Sequence, residues 1–353
     1  TVSRDAGTLP LSFAQERLWF LDRLIPDNPF YNMPGALGIS GPLDTEALER
    51  TFGEMIRRHE PLRTCFVSED GVPAQVIASE LAFEIPLRSL ESLPEDEKAD
   101  EVRRLIREEA ERVFDLGRAP LLRITLLRLS EREHVLLLTM HHIISDGWSV
   151  GVMNREISAL YNAFAEGKPS PLPELPVQYA DFAAWQRTKL TGDFLETQMR
   201  YWKNHLEGLS PAELPADYPR PAVASYRGDM IPAEIPPELT ASLRKLSRES
   251  GTSLFMTLLA GFAALVSRYT GSDDIAVGSP VANRNRKETE PLIGFFVNTL
   301  VMRTDLSGDP SFAELLARVR QTALDAYAFQ DIPFEQIVAE LQPERDMSRT
   351  PLV

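Results

Sequence analysis

The feature that most constrains the fold is a nearly continuous apolar run over residues 134–142, which reads HVLLLTMHH. A run of this kind is typical of a strand that is buried on both faces, because an exposed face would carry polar residues at every second position. A second β-rich run, over 121–129, lies directly before it. Segments with helical periodicity precede and follow both runs. The pattern therefore predicts a mixed α/β (α+β) fold in which helices flank the sheets.

Capping residues, apolar spacing and a proline-rich connector locate the remaining elements. Helices are predicted after Ser12 and Asp44, over 95–114 and 147–164, and near 179–206, 237–249, 253–269 and 310–328. Strands are predicted over 62–67 and near 229–235, 274–278 and 296–303. The connector, EGKPSPLPELP, ends at residue 176, and we place a domain boundary there, giving domains 1–176 and 177–353. The length of 353 residues allows two domains, since one takes about 100–200 residues.

Charge and cysteine content exclude several classes of partner. The formal net charge is -15, from 37 Lys and Arg against 52 Asp and Glu, so the surface repels phosphate backbones and anionic lipids. The most apolar stretch, 253–266, is shorter than the roughly 20 residues that span a membrane, and we interpret it as a buried helix. Cys65 is the single cysteine, which excludes an intrachain disulfide and a cysteine-based zinc site. We expect a cytoplasmic protein with no nucleic-acid, membrane or metal partner.

The candidate reactive centre is the run HHIISDG, from His141 to Gly147, at the end of the buried strand. Adjacent strand residues point to opposite faces, so one histidine faces a substrate and the other supports it. We assign the proton transfer to His142, because a neutral imidazole accepts a proton from an amine or hydroxyl near neutral pH. Asp146 follows after a tight turn and orients the imidazole or its loop. Gly147 opens a helix whose free N–H groups stabilise a developing oxyanion.

These residues predict an acyl-transfer site without a nucleophilic side chain, and its candidate catalytic residues are His141, His142, Asp146 and Gly147. A histidine at a strand end is more often a purely structural residue. The combination of two histidines, an aspartate and a glycine at one strand-to-helix junction favours the functional interpretation.

The sequence HHIISDGWSV resembles the active-site signature of condensation domains from nonribosomal peptide synthetases, a branch of the chloramphenicol-acetyltransferase-like superfamily. Six further segments are similar to motifs of that family, in the expected order: 11–21, 58–66, 179–187, 293–300 with Arg303, 330–335 and 345–349. The residues of these motifs resemble those of the subtype that joins an L-configured donor to an L-configured acceptor. Two departures are Phe329, where the family often has histidine, and the end of the chain at the last motif. We therefore expect the second lobe to be incomplete at its C-terminus.

The resemblance implies two chloramphenicol-acetyltransferase-like lobes in a V-shaped pseudo-dimer, each a mixed sheet flanked by helices, with His142 in a tunnel. It also implies the partners, an upstream donor and a downstream acceptor peptidyl carrier domain, with an adenylation domain in the same synthetase. The domain itself binds no cofactor, and its substrates arrive on the 4'-phosphopantetheine arms of the carriers. The acceptor amine attacks the donor thioester, and an amide bond forms.

The resemblance also assigns supporting roles. It implies a structural salt bridge between Asp146 and Arg63. Trp148, Ser149 and Asn298 are candidates for the lining of the substrate and pantetheine tunnel, with a purely structural role for Ser149 and Asn298 equally open.

Two related functions are alternatives, and a third is excluded by the sequence. An epimerization domain would need a further acid or base residue, and the glutamate-glycine-histidine run typical of those domains is absent. A cyclization domain would carry aspartates in place of the histidines, which excludes it. An inactive carrier-docking module usually lacks the second histidine or the glycine, and both His142 and Gly147 are present.

Overall fold

The computed structural model describes residues 1–4, 7–210, 212–219, 228 and 230–342. Its helices are α1 (Phe13–Leu24), α2 (Thr45–Arg58), α3 (Glu95–Glu111), α4 (Gly147–Ala165), α5 (Tyr179–Lys189), α6 (Gly192–Leu206), α7 (Pro237–Glu249), α8 (Leu254–Thr270), α9 (Phe312–Ala328) and α10 (Phe334–Leu341). Its strands are β1 (Leu9–Pro10), β2 (Asn32–Ser40), β3 (Thr64–Glu69), β4 (Val72–Ile77), β5 (Leu87–Ser89), β6 (Leu122–Ser130), β7 (Glu133–His141), β8 (Asp274–Val281) and β9 (Asn298–Asp305). The expected mixed α/β class, with sheets flanked by helices, is confirmed.

The chain forms two compact units, and their boundary differs from the predicted one at 176. The first unit contains Thr1–Lys189 and Arg284–Val297, and the second contains Leu190–Asn283 and the chain from Asn298 onward. Helix α5 belongs to the first unit because its aromatic side chains pack on residues of 284–297. We call residues 284–297 the returning segment. The proline-rich connector lies before α5 and therefore not at the end of the first continuous stretch, and it gives no sign that a later segment returns to that unit.

The central sheet of the first unit has the strand order β2-β7-β6-β5. Strand β7 pairs antiparallel with β2 and β6, whereas β5 runs parallel to β6. Both faces of β7 are covered, as its sequence predicts: Leu136 and Met140 lie in the main core, and Leu137 lies in a separate cluster with Leu105 of α3. A second sheet of this unit has the order β1-β4-β3.

The end of β7 positions the candidate site. Strand β7 ends at His141, a short 3-10 helix covers His142–Ile144, and α4 begins at Gly147. Asp146 is the N-cap of α4, and its carboxylate accepts a hydrogen bond from the backbone N–H of Ser149. An aspartate N-cap satisfies one of the unpaired donors of a helix start and favours a sharp change from strand to helix.

The second unit contains the antiparallel pair β8–β9, with a core drawn from α6, α8, α9 and α10. The predicted helix over 237–249 is confirmed as α7. The helix predicted near 179–206 is two helices, α5 and α6, because Gly192 takes a left-handed φ of 53° at the break. Residues 230–235 do not form the predicted strand, and the motif at 345–349 lies outside the described residues.

Over the described residues, no single helix is long and apolar enough to cross a membrane. Helices α7 and α8, which are joined by a bend of 105°, would together be long and apolar enough, judged by length and composition alone.

Candidate active site

His142 is held in one ring orientation by its own loop. Its Nδ1 lies 2.7 Å from the carbonyl oxygen of Ser145, and its backbone N–H donates to the carbonyl of Tyr31 at 2.8 Å. A carbonyl oxygen only accepts hydrogen bonds, so Nδ1 is the donor in this contact. In the neutral ring, Nε2 therefore keeps its lone pair, and none of the described residues forms a hydrogen bond with it. This is the arrangement that a proton acceptor for an incoming nucleophile requires.

The ring of Phe295 packs against the His142 imidazole. The ring centroids are 4.7 Å apart and the planes meet at 64°. Phe295 belongs to the returning segment and is buried, whereas His142 is half-buried. Phe295 is a site residue that the sequence reasoning missed, although it lies inside the quoted motif at 293–300.

His141 is a buried structural residue, as its expected supporting role requires. Its Nδ1 accepts a hydrogen bond from the backbone N–H of Ile143 at 3.1 Å, and its ring contacts those of Tyr31 and Phe114. Burial, together with the nearby charges of His142 and Arg123, lowers the pKa of His141 to about 3. His141 is therefore neutral near pH 7 and takes no part in proton exchange there.

Asp146 is buried and forms its ion pair with Arg284, so the expected partner Arg63 is wrong. Its Oδ1 accepts from Arg284 Nη2 at 3.0 Å and from the N–H and hydroxyl of Ser149 at 2.8 and 2.7 Å. Its Oδ2 accepts from the backbone N–H of Phe296 at 3.0 Å. Arg63 instead donates to the carbonyl of Ala78, the residue that follows β4. Arg63 directly precedes β3, and its contact is with the residue just after the neighbouring strand β4.

Arg284 is a residue of the candidate site that no local pattern in the sequence indicated. Its Nη1 donates to the carbonyls of Thr289 and Leu292 at 2.7 and 2.8 Å, and its guanidinium lies 4.0 Å from the ring centroid of Phe296. Burial lowers the pKa of Arg284, while the carboxylate of Asp146 acts in the opposite direction. The side chain therefore fixes the returning segment and neutralises Asp146 at the same time.

The structure gives Ser149 a structural role and leaves Trp148 accessible. Ser149 is fully buried, and its hydroxyl accepts from Arg284 Nη2 at 2.8 Å and from the N–H of Gly294 at 3.1 Å. Such a hydroxyl cannot line a tunnel, because its hydrogen bonds are all made to groups of the protein. Trp148 is 44% exposed, and its Nε1 donates to the carbonyl of Glu290 at 2.9 Å.

Asn298 also has a structural role, and it belongs to the second unit. Its amide donates to the carbonyls of Gln330 and Ile332 at 2.9 and 2.8 Å. Its carbonyl accepts from the N–H groups of Phe334 and Thr299 at 3.0 and 2.8 Å. Because the backbone uses both ends of this buried amide, the expectation that it contacts pantetheine is not supported.

Within the described ranges, no three His, Cys, Asp or Glu side chains form a group that would hold a metal ion.

Comparison with known proteins gives the family. The model of the condensation domain matches residues 5–353. The chain therefore belongs to the condensation-domain family.

The chain is 55% identical over 352 residues to one of the subunits of linear gramicidin synthase from Brevibacillus parabrevis, covering 99% of this chain and 7% of that protein. It is 47% identical over 349 residues to phosphinothricin tripeptide synthetase PhsC of Streptomyces viridochromogenes, covering 99% of this chain and 32% of that protein. The chain thus spans only a small part of these relatives.

Solved structures share the fold. The X-domain in its complex with OxyB from teicoplanin biosynthesis is 32% identical, with a TM-score of 0.88, over 100% of this chain and 77% of that chain. The four-domain nonribosomal peptide synthetase AB3403 is 24% identical, with a TM-score of 0.86, over 98% of this chain and 26% of that chain. At this lower identity, the likeness is one of fold alone.

Proposed function

We propose that this chain is the condensation domain of a nonribosomal peptide synthetase and that it forms an amide bond between two carrier-bound substrates. The free amine of the acceptor aminoacyl thioester attacks the carbonyl carbon of the donor thioester. The new C–N bond forms, the C–S bond to the donor pantetheine breaks, and the donor carrier is left with a free thiol. One proton leaves the attacking nitrogen and one reaches the departing sulfur, so the reaction needs no further reactant.

The single observation that carries this proposal is the hydrogen bond from His142 Nδ1 to the Ser145 carbonyl, which leaves Nε2 as an acceptor. Nε2 binds the attacking amine and accepts its proton, or holds the amine in line with the thioester. Alignment of two tethered reactants contributes about 7 kcal/mol or more, and proton transfer contributes roughly 10²–10⁴-fold in rate. Both contributions use the same imidazole orientation.

The oxyanion of the tetrahedral intermediate is assigned to the start of α4. The N–H groups of Gly147 and Trp148 have no hydrogen-bond partner among the residues that the structure describes, whereas Asp146 caps Ser149. Free N–H groups in a first helical turn stabilise a developing negative charge. The exposed indole of Trp148 is the remaining candidate for contact with a pantetheine arm.

The partners follow from the proposed reaction. An upstream carrier delivers the donor and a downstream carrier the acceptor, each on 4'-phosphopantetheine, and an adenylation domain of the same synthetase loads an amino acid. The names of the relatives, which are peptide synthases and synthetases, support this assignment. The location that we propose is the cytoplasm, where a protein with a single free cysteine stays reduced.

A second candidate is a docking module without condensation chemistry. It is supported by the likeness to the X-domain, which was solved in a complex with OxyB. Against it stands the intact orientation of His142, since a pure docking surface has no need of a held imidazole with a free Nε2.

The test mixes the domain, in its full-length protein, with two carriers loaded with different amino acids and weighs the intact carriers. Dipeptide mass is expected on the acceptor carrier only. His142→Ala should lower the rate by roughly 10²–10⁴-fold. The matched control is His134→Ala, which removes a buried histidine from the other end of β7. An unchanged rate in folded His142→Ala, or no dipeptide from the wild type, would contradict the proposal.

A further inference from the structure

Four side chains of the first unit hold the backbone of residues 293–296 in the returning segment. We call them the backbone clasp. The contacts are Ile293 N–H to His59 Nδ1 at 3.4 Å, Gly294 N–H to Ser149 Oγ at 3.1 Å, Tyr179 O–H to the Phe295 carbonyl at 2.6 Å, and Phe296 N–H to Asp146 Oδ2 at 3.0 Å. All four side chains are buried. Four consecutive residues are therefore fixed by side chains from three different parts of the chain.

The clasp leaves no room for the segment to move toward α5. A Cβ atom placed on Gly294 would lie 2.1 Å from Cδ2 of Tyr179 and 2.9 Å from Cε2 of Phe296. No real Cβ approaches another heavy atom so closely, so the backbone at Gly294 touches the tyrosine ring directly. The same hydroxyl also lies 2.8 Å from Ser12 Oγ, so a second hydrogen bond holds the phenolic end of the ring in place.

The clasp residues are themselves anchored by buried charges. His59 accepts from Ile293 through Nδ1, so its Nε2 donates to Glu156 Oε2, at 2.7 Å. Arg58 donates to the other carboxylate oxygen of Glu156 at 3.1 Å. Burial acts to raise the pKa of Glu156, but the contacts with His59 and Arg58 lower it overall, so the carboxylate stays charged. A satisfied buried network of this kind is rigid.

The clasp determines the position of the Phe295 ring against His142. The backbone of Phe295 is fixed at its own carbonyl and at the N–H groups of both neighbours, so a shift of the backbone cannot carry the ring away from His142. The χ2 torsion of a histidine is broad and roughly two-fold, so an unsupported imidazole can turn over. A turn of the ring would break the Nδ1 contact with Ser145 and move Nε2. The buried ring of Phe295 packs edge-on against the imidazole with the centroids 4.7 Å apart, and a packing contact of this kind opposes that turn.

We propose that Phe295 is a positioning residue for the transfer reaction, and that the backbone clasp holds it against His142 so that one imidazole orientation is kept. This inference rests on the proposed function, in which Nε2 faces the acceptor amine. It also gives Asp146 a second task, because its carboxylate holds the N–H of Phe296 while it caps α4.

The test removes the ring by Phe295→Leu and compares the result with Phe114→Leu. Phe114 is a matched control: it is as buried as Phe295, and its ring meets the other histidine, His141, edge-on at 6.1 Å. In the full-length protein, Phe295→Leu should lower kcat by about 10- to 100-fold with little change in KM for the loaded carriers. Phe295→Tyr, which keeps the ring, should restore kcat, and Phe114→Leu should leave it unchanged.

A second readout is independent of transfer. The ¹⁵N shifts of His142 in this chain report which ring nitrogen carries the proton, and the wild type should show the Nδ1–H form. Phe295→Leu should show a mixture of both forms. Phe295→Met, which fills the volume without a ring, should do the same if the leucine variant does not fold.

Unchanged ¹⁵N shifts in the folded Phe295 variants would overturn the proposal, and so would an equal loss of kcat in Phe114→Leu. Failure of the proposed function is distinguishable, because it would appear as absence of dipeptide from the wild type while the ¹⁵N result still stood.

Discussion

Each unit contains a buried polar side chain that binds loop backbone, Asp146 in the first and Asn298 in the second. Asn298 bonds only to backbone groups of its own unit, at both ends of a neutral amide. Asp146 is charged, needs Arg284 as a counter-ion, and lies four residues after a histidine with a free Nε2. Both side chains are buried, but the region around Asp146 also contains a polar atom, His142 Nε2, that has no hydrogen-bond partner among the described residues. A buried polar group whose hydrogen bonds are all made has a structural role. A chemical role requires a nearby atom that is free to bind a substrate.

The largest effect is expected from Asp146→Ala. The substitution leaves Arg284 buried without a counter-ion and removes the N-cap of α4, so the free energy of unfolding should fall by about 3–5 kcal/mol. Denaturant titration followed by circular dichroism measures this loss. Asp146→Asn, which keeps an acceptor for Ser149 and Phe296, should lose less. A loss below about 1 kcal/mol in the alanine variant would mean that the ion pair is not structural.

Asn298→Ala should have the next largest effect, on stability only. It leaves backbone carbonyls and N–H groups of the second unit without partners, and we expect a loss of about 2–3 kcal/mol in the free energy of unfolding. The transfer rate per folded molecule should stay at the wild-type level. A fall in that rate, measured by carrier mass on folded protein, would return Asn298 to the substrate path and remove the contrast with Asp146.

A pH-dependent effect is expected from His141. Its pKa is lowered to about 3 by burial, so the unfolded chain binds a proton that the folded chain does not. Stability should therefore fall as the pH drops below about 6.5, by at most about 1.4 kcal/mol per pH unit for this residue. Burial also lowers the pKa of His134 and His205, which add to the slope in the same direction.

Unfolding titrations between about pH 6.5 and pH 5 isolate the histidines from most carboxylates. His141→Asn, whose side-chain carbonyl replaces the acceptor for Ile143, should flatten the slope. An identical slope in the variant would show that His141 is not a buried neutral base.

The smallest effect is expected from Ser145→Ala. The Ser145 hydroxyl is buried and has no hydrogen-bond partner among the described residues, whereas its backbone carbonyl holds His142. The alanine variant keeps that carbonyl, so stability should change by less than about 1 kcal/mol and transfer should be unaffected. Loss of transfer in this variant would mean that the hydroxyl, and not the carbonyl, acts on the imidazole.

Much of the fold follows from local patterns in the sequence. The apolar run at 134–142 predicted the central strand β7, Asp44 predicted the start of α2, and the spacing over 237–249 predicted α7. Each of these signals lies within a few residues of the element that it specifies. The prediction of one helix near 179–206 failed because Gly192 acts against the helical pattern between α5 and α6.

The site was predicted less completely, because its contacts join distant parts of the chain. The spacing of His142 and Asp146 made them candidates, but the residue that pairs with Asp146, Arg284, is 138 residues away. Phe295 contacts His142, and Tyr179 contacts Phe295, because the returning segment packs within the first unit. No local sequence pattern predicts that packing. The resemblance implied Arg63 as the partner of Asp146, and only the path of the backbone shows that Arg284 takes that place.

The pairing of β2 with β7 has one more consequence. Asn32 lies opposite His141 in the ladder, and the N–H of His142 extends the same ladder by donating to Tyr31. The backbone that carries the candidate imidazole is therefore part of the hydrogen-bond ladder of the central sheet, and the core strands of a folded unit are among the last to open to solvent. Loss of activity on heating should thus coincide with unfolding of the whole sheet. Local unfolding of the candidate site alone should not precede it.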